Sequence, residues 1–569
     1  MQDVLNPAIE ASRLSKTFLA GGRRIEALNE VSFTVKHGLV TGLIGPDAAG
    51  KSTLMRLAAG LLVPDSGSIS VLSLDATRQS LKIQSAIGYM PQRFGLYEDL
   101  TVQENLDLYA DLQGVPMGDR PSRFEELLAM AGLFPFVKRL AGNLSGGMKQ
   151  KLGLACSLVR QPELLLLDEP TVGVDPVSRR ELWSIVYRLV KEKGTSVLLS
   201  TAYLDEAERC DEVVLLHEGS VLDQGEPATF RKSMDGRVFA AKAPGIPKRL
   251  LQTEISRTPG VIDALIHGDH VRIVMEGLTP PDARPDVSIV PLPPRFEDRF
   301  VTLLKKTSSV RHEVPYEKPI AQAKGAVIEL ENLQRKFGDF YAVKNVTFSV
   351  SGGEVFGLLG ANGAGKSTTF RMLCGLLAPS GGTLRVAGED LRHAASKARA
   401  KIGYMSQKFS LYGNLSILEN LKFFGAAYGL SGNAGQNRIA WAIDEFSLAD
   451  MKDAVSGDLS LGYKQRLALA CALMHEPEIL FLDEPTSGVD PLARREFWQR
   501  INDLASSGVT VMVTTHFMEE AEYCDRLAIM AEGEILKIGT PAEIKAGAGI
   551  ENPTMEDAFV ELIRAVEAS

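Results

Sequence analysis

The 569 residues exceed what a single hydrophobic core supports, so two to four domains are expected. Hydrophobic residues at 45% and charged residues at 23% are ordinary for a water-soluble chain, and no apolar run approaches the roughly 18 residues that cross a bilayer. A formal net charge of -9 argues against a broad basic footprint for nucleic acid, and five cysteines without a Cys-x-x-Cys point to a reducing compartment.

Met1-Gln2-Asp3-Val4 has no basic stretch leading into an apolar core, so no secretory leader is expected. An apolar strand-like run over 39–44 leads into Gly45-Pro46-Asp47-Ala48-Ala49-Gly50-Lys51-Ser52-Thr53, and a helical segment follows over 54–59. This is a G-x-x-x-x-G-K-[ST] loop in the strand-to-helix setting that makes it a phosphate cradle. Backbone N–H groups and a helix N-terminus converge on the anion, Lys51 adds a point charge, and Ser52 offers a hydroxyl to Mg²⁺. Further on, a strand over 163–167 ends in Asp168-Glu169-Pro170, a helix is expected over 178–191, and a strand over 196–199. Strands alternating with amphipathic helices give an α/β class with a mostly parallel sheet in each copy. An Asp at a strand tip beside a phosphate loop suits Mg²⁺, and the next carboxylate suits a water-activating base.

From 236 to 292 the pattern changes to short strands over 238–241, 271–275 and 287–290 with a helix over 248–255, a small accessory α/β module. A Pro-rich exit over 291–294 runs into a helix near 297–305, and 311–325, with Pro315 and Pro319, reads as a linker. The second loop, Gly360-Ala361-Asn362-Gly363-Ala364-Gly365-Lys366-Ser367-Thr368, and the second acidic strand end, Asp483-Glu484-Pro485, repeat the first. Lys51 and Lys366, Gln92 and Gln407, Ser145 and Ser460, and Asp168 and Asp483 are each 315 positions apart. A constant offset means two copies of one domain. The expected organisation is therefore 1–235 first phosphate-loop domain, 236–310 accessory segment, 311–325 linker and 326–569 second phosphate-loop domain. Cys156 and Cys471, and Cys210 and Cys524, recur with the repeat and read as small core residues.

These motifs, recurring twice in one order, resemble the ATP-binding cassette (ABC) ATPases. Leu144-Ser145-Gly146-Gly147 and Leu459-Ser460-Leu461-Gly462 look like the family's signature loop. Gln92 and Gln407 look like its Q-loop, which also reaches Mg²⁺, and Asp175 and Asp490 look like its D-loop. Phe18 and Phe337 stand where the family stacks an aromatic on adenine. The resemblance implies two P-loop domains, each with a helical subdomain, that close head to tail over ATP and Mg²⁺, each nucleotide lying between one copy's phosphate loop and the other's signature loop. One composite site would combine Lys366, Gln407, Asp483, the base Glu484 and His516 with Ser145, Gly146 and Gly147. The other would combine Lys51, Gln92, Asp168 and the base Glu169 with Ser460 and Gly462. The second has three departures. Asp47-Ala48 replaces Asn362-Gly363, Leu461 replaces the signature's first glycine, and Ala202 takes the position of His516. A slow, nucleotide-retaining site and a fast one are expected.

The segments 96–106 and 411–421, and the Glu-Asp-x-Phe ends of both copies, resemble ABC-2-type exporter ATPases. The whole chain is similar to the tandem ATP-binding subunit of bacterial multidrug exporters. That resemblance implies two separately encoded transmembrane subunits docking on helical subdomains near 93–143 and 408–458, a periplasmic adaptor as a further partner, no nucleic acid, and a place on the cytoplasmic side of the inner membrane. Phe94, Tyr97, Phe409 and Tyr412 are candidate contacts. The other readings are a tandem sugar-import ATPase and a ribosome-acting cassette pair, whose copies are usually joined by a long charged helix rather than a short proline-bearing linker.

Overall fold

Uninterrupted apolar runs such as Leu164–Asp168 and Ile479–Asp483, buried at every position, can only be strands covered on both faces. In the computed structural model, which describes residues 6–20, 23–92, 95–282, 284–307, 325–407, 409–515, 517–551 and 553–567, they occupy the interior of two six-stranded sheets. In the first cassette Val40–Ile44 lies between Ser196–Thr201 and Glu212–His217, all parallel. Leu164–Asp168 and Ile87–Met90 extend the sheet on one side, and Ser220–Gly225 closes the other as an antiparallel edge. The second cassette repeats this order around Val355–Gly360. Each phosphate loop thus leaves the carboxyl end of a central strand.

The expectation of a mostly parallel sheet covers only half of the β-structure. A second, antiparallel sheet is made by Ile9–Ala20, Arg23–Val35, Ser66–Val71 and Leu74–Asp75, and again by Ala326–Phe337, Phe340–Ser351, Gly381–Val386 and Glu389–Asp390. Alternation explains it: Ile9, Ala11, Phe33, Val35, Ile69 and Val71 turn inward onto Leu54, Met55, Leu57 and Ala58 of the loop helix, while their neighbours face solvent. The loop helices begin at the lysines themselves, as Lys51–Ala58 and Lys366–Leu373.

Each helical subdomain opens with a capped helix, Val102–Leu112 behind Thr101 and Glu104, and Ile417–Ala427 behind Ser416 and Glu419. Buried Asn105 and Asn420 then tie down the preceding loop. Asn105 Nδ2 donates to the carbonyls of Tyr97 (3.0 Å) and Thr101 (2.9 Å), and Asn420 repeats this on Tyr412 and Ser416. Tyr97 and Tyr412 are left exposed, whereas Phe409 is buried in the subdomain core, which removes it as a surface contact. Phe94 lies outside the described residues.

The chain divides into two compact units, Met1–Asp235 with Pro293–Ser308, and Gly236–Leu292 with Ser309–Ser569. The segment 236–310 is therefore split. Helix Phe296–Thr307 belongs with the first cassette, where Phe296 packs edge-on against Phe230 (5.4 Å) and donates its N–H to Glu208 (2.9 Å). Residues 236–292 form a four-stranded antiparallel sheet, in the order Val261–His267, His270–Met275, Val238–Lys242, Ser288–Pro291, with helix Lys248–Ser256 against it. Val261–His267 has no counterpart among the strands expected from the sequence, because Asp263 interrupts its apolar run and a bulge follows Val261. The linker expected at 311–325 lies outside the described residues except for Gly325. Among the described residues no helix is long and apolar enough to cross a membrane.

All five cysteines are buried free thiols, and burial pushes their pKa values up. A colorimetric thiol reagent is therefore expected to label none within minutes in buffer and all five in denaturant. Fast labelling of the native protein would contradict this packing.

Candidate functional site

The phosphate loops are shaped by close backbone approach. A Cβ on Gly45 would lie 2.2 Å from the carbonyl oxygen of Leu216, and one on Gly360 would lie 2.4 Å from that of Met530, so neither position accepts a side chain. Gly50 and Gly365 cap the loop helices at φ 103° and 105°. Inside each loop the lysine ammonium is curled back onto the loop's own carbonyls. Lys51 Nζ donates to Gly45 (2.8 Å) and Pro46 (3.0 Å), and Lys366 Nζ to Gly360 (2.7 Å) and Ala361 (3.1 Å). Thr53 and Thr368 follow in the first turn of the loop helices, half-buried.

The acidic strand ends meet these loops within each cassette. Asp168 Oδ1 accepts from Ser52 (3.2 Å) and Ser200 (2.7 Å), and Asp483 Oδ1 accepts from Ser367 (3.4 Å) and Thr514 (2.7 Å). Burial pushes the Asp483 carboxyl above its ordinary range, opposed by the Thr514 hydroxyl and reinforced by neighbouring Glu484. Glu169 and Glu484 sit at φ 52° and 48°, a left-handed conformation that costs about 1 kcal/mol for a residue with a Cβ. Two acceptors hold each backbone there. The N–H of Glu169 donates to Ser200 O (3.1 Å) and Oγ (2.9 Å), and that of Glu484 to the same atoms of Thr514.

Both glutamates are 6% exposed and gripped at both oxygens. Gln92 Nε2 donates to Glu169 Oε2 (2.6 Å) while Lys51 stands 3.4 Å from Oε1. Gln407 donates to Glu484 Oε2 (2.8 Å), with Lys366 at 3.8 Å from Oε1. The sequence reading puts the glutamines on Mg²⁺; in the structure their amide N–H groups donate to the glutamates.

Ser145 caps helix Gly146–Ser157, accepting from Met148 N (3.3 Å), and Gly147 is packed so that a Cβ would lie 2.5 Å from Ser178 Oγ. Ser460 caps Leu461–Leu473 without a side-chain bond, and a Cβ on Gly462 would rest 3.6 Å from that of Ala493, an ordinary contact. Leu461, partly buried, packs on the core of its own helical subdomain. Asp175 caps helix Pro176–Lys193 through Ser178, and Asp490 caps Pro491–Ser506 through the N–H groups of Leu492 and Ala493. Phe18, two residues before the end of its strand, and Phe337, at the end of its own, are 37% and 47% exposed and lie beneath Lys16 and Arg335 respectively.

Two of the three departures have a structural basis. Ala48 is held at φ 61° where the second loop has Gly363 at 85°; open space surrounds the Cβ direction of Gly363, so the alanine's cost is conformational rather than steric. Ala202 is buried and has no polar side-chain atom. Its counterpart His516 lies outside the described residues.

Sequence reasoning did not single out Ser200 and Thr514 as the anchors of the acidic pair, nor Glu206 and Glu520. Glu206, fully buried, accepts from Thr171 (3.0 Å), Thr201 (2.7 Å) and Trp183 (3.1 Å). Glu520 accepts from Thr486 and Thr515, with Arg494 at 3.7 Å. Their recurrence after positions 202 and 516 was the available signal.

A family profile described as "ABC transporter" matches residues 28–172 and 343–487. The chain is 52% identical over 550 residues to the "Probable multidrug ABC transporter ATP-binding protein YbhF" of Escherichia coli (strain K12), covering 94% of this chain and 95% of that protein. It is 43% identical over 217 residues to the "Nod factor export ATP-binding protein I" of Burkholderia lata, covering 38% of this chain and 71% of that one. A solved "Structure of ATP binding subunit of ABC transporter" aligns with 42% of the chain and 99% of its own at 31% identity and a TM-score of 0.39. With two matched cassettes and a relative at 52% identity along nearly all of its length, the chain belongs to the ABC transporter family, as an ATP-binding ATPase subunit whose hydrolysis is coupled to transport through transmembrane subunits.

Proposed function

We propose that this chain powers an ABC-2-type exporter of drugs or other xenobiotics. It works from the cytoplasmic side of the inner membrane with two separately encoded transmembrane subunits and a periplasmic adaptor. The carrying observation is the similarity, over 94% of the chain, to a probable multidrug ABC transporter ATP-binding protein; the Nod factor export relative supports the export direction. Tyr97 and Tyr412, exposed on asparagine-pinned loops, are the contacts offered to the membrane subunits.

In this reading the two cassettes close over two ATP molecules. Lys366 binds phosphate, Glu484 takes the proton of the attacking water, and Gln407 holds Glu484 until closure. Ser145, Gly146 and Gly147 complete that site, and His516 donates to the γ-phosphate. The Lys51 site, completed by Ser460 and Gly462, retains nucleotide. The hard-oxygen pairs Ser52–Asp168 and Ser367–Asp483 fit Mg²⁺, which supplies charge neutralisation at the phosphates when bound. Membrane co-fractionation tests the reading. Expressed with the membrane subunits, the chain is expected to pellet with membranes and to survive detergent extraction as a complex with them; sedimentation with ribosomes would overturn it.

A further inference from the structure

Residues 236–292 follow the first cassette in sequence, yet they belong to one compact unit with the second and make polar contacts to it. Asp263, on the interrupted strand Val261–His267, forms an ion pair with Arg495, and both side chains are only 10% exposed. Gln252, buried on helix Lys248–Ser256, accepts from buried Asn502 (3.3 Å) while donating to Ala264 O (2.8 Å). Arg249 donates to Gly353 O (3.3 Å) and pairs with Asp525, whose carboxylate also accepts the N–H of Val355 (2.9 Å).

These attachment points are not spread at random over the second cassette. Arg495 and Asn502 are seven residues apart on helix Pro491–Ser506, so they lie two turns apart on one face. That helix is capped by Asp490, and only the short loop from Glu484 to Asp490 separates it from the glutamate that Gln407 holds. The first turn of the same helix supports the signature turn, through Ala493 beside Gly462. Asp525 and Gly353, for their part, lie at the start of strand Val355–Gly360, which delivers the phosphate loop. The module therefore grips two of the elements on which the geometry of Lys366 and Glu484 depends. A buried carboxylate aimed at a buried guanidinium has a defined direction and little freedom, unlike an exposed pair.

We propose that residues 236–292 are a positioning module for the ATPase site of the second cassette, with Asp263 and Gln252 acting through Arg495 and Asn502 to set the helix that follows Asp490. This rests on the reading of Lys366 and Glu484 as an ATP-hydrolysing site. Asp263 touches neither nucleotide nor water; it is a positioning residue. Its loss shifts the loop carrying Glu484 and leaves the phosphate loop in place.

The test uses the full chain and MgATP turnover. Asp263→Asn is expected to lower kcat roughly tenfold with KM for ATP nearly unchanged, the split expected when a catalytic group is displaced by a fraction of an ångström. Asp263→Glu, which keeps the charge, recovers most of kcat. Because Asp263→Asn takes a carboxylate away from a buried guanidinium that Glu519 also attracts, a second variant separates position from stability: Asp263→Leu with Arg495→Met packs the space between them without charge. Its melting temperature is expected to return to that of the parent chain while kcat stays low. Unchanged kcat in Asp263→Asn, or kcat recovering together with melting temperature in the double variant, overturns the proposal. Glu484→Gln is run alongside: if it turns over normally, the ATPase reading beneath has failed, a result distinct from either of these.

Discussion

Glu484→Gln is expected to lower ATP turnover of the full chain by roughly 10²–10³, whereas Glu169→Gln is expected to leave roughly half or more. Glutamine matches glutamate in size and keeps a carbonyl acceptor toward Gln407, so the variant removes the proposed base together with the negative charge that faces Lys366. The constellation around Glu169 has the same shape, with Gln92 and Lys51 on its two oxygens, so shape is not what separates the sites. In the proposed reading, what separates them lies in the loop and after the neighbouring strand. Ala48 holds a left-handed conformation at φ 61° that Gly363 adopts at no comparable cost, and Asp47 brings a carboxylate into the loop where Asn362 is neutral. Ala202 has no donor for a developing γ-phosphate charge, and one missing preorganised donor is worth about 10²–10³ in rate. Single-turnover and steady-state ATPase assays on both variants decide the matter: equal losses would mean equal sites.

The phosphate loops and acidic strand ends were legible because their chemistry needs fixed residue types at fixed spacing, and the constant offset of 315 made each copy a check on the other. The antiparallel sheets were less so. Their alternation runs through strands such as Ile9–Ala20 that carry bulges, and each bulge breaks the period of two. The ownership of residues 236–292 was hidden for a different reason. Local pattern reveals a module's strands and helix, but the pair that ties it down, Asp263 with Arg495, joins residues 232 positions apart. No periodicity links two such residues. The same holds for Gln92 and Glu169, 77 apart: each was read from its own motif, and only the fold reveals that they bind each other.

Glu206→Ala is expected to destabilise the first cassette by about 3–5 kcal/mol, because it strands several groups at once. Glu206 is fully buried, and the hydroxyls of Thr171 and Thr201 and the indole N–H of Trp183 all donate to it. Burial pushes its carboxyl above the ordinary range, with the Arg179 guanidinium pulling the other way. Alanine removes the acceptor and leaves a cavity next to that guanidinium, while the donors stay where no water reaches them. For a unit of this size the loss corresponds to a fall of roughly 10 °C in melting temperature, readable by calorimetry. Glu206→Gln keeps the volume and one carbonyl acceptor, so its cost is expected to be smaller. The effect extends to chemistry because of where the donors sit. Thr171 is two residues past Glu169, and Thr201 directly precedes Ala202, so the carboxylate fastens the loop after the acidic strand to the loop after the neighbouring one. Glu520 does the same for Thr486 and Thr515 in the second cassette, to which the proposed reading assigns the faster turnover. Glu520→Ala is therefore expected to lose ATPase activity at temperatures where the protein is still folded, and Glu206→Ala to lose stability with little change in rate. An alanine at 206 that melts with the parent protein would show that this buried acid is not a fastener.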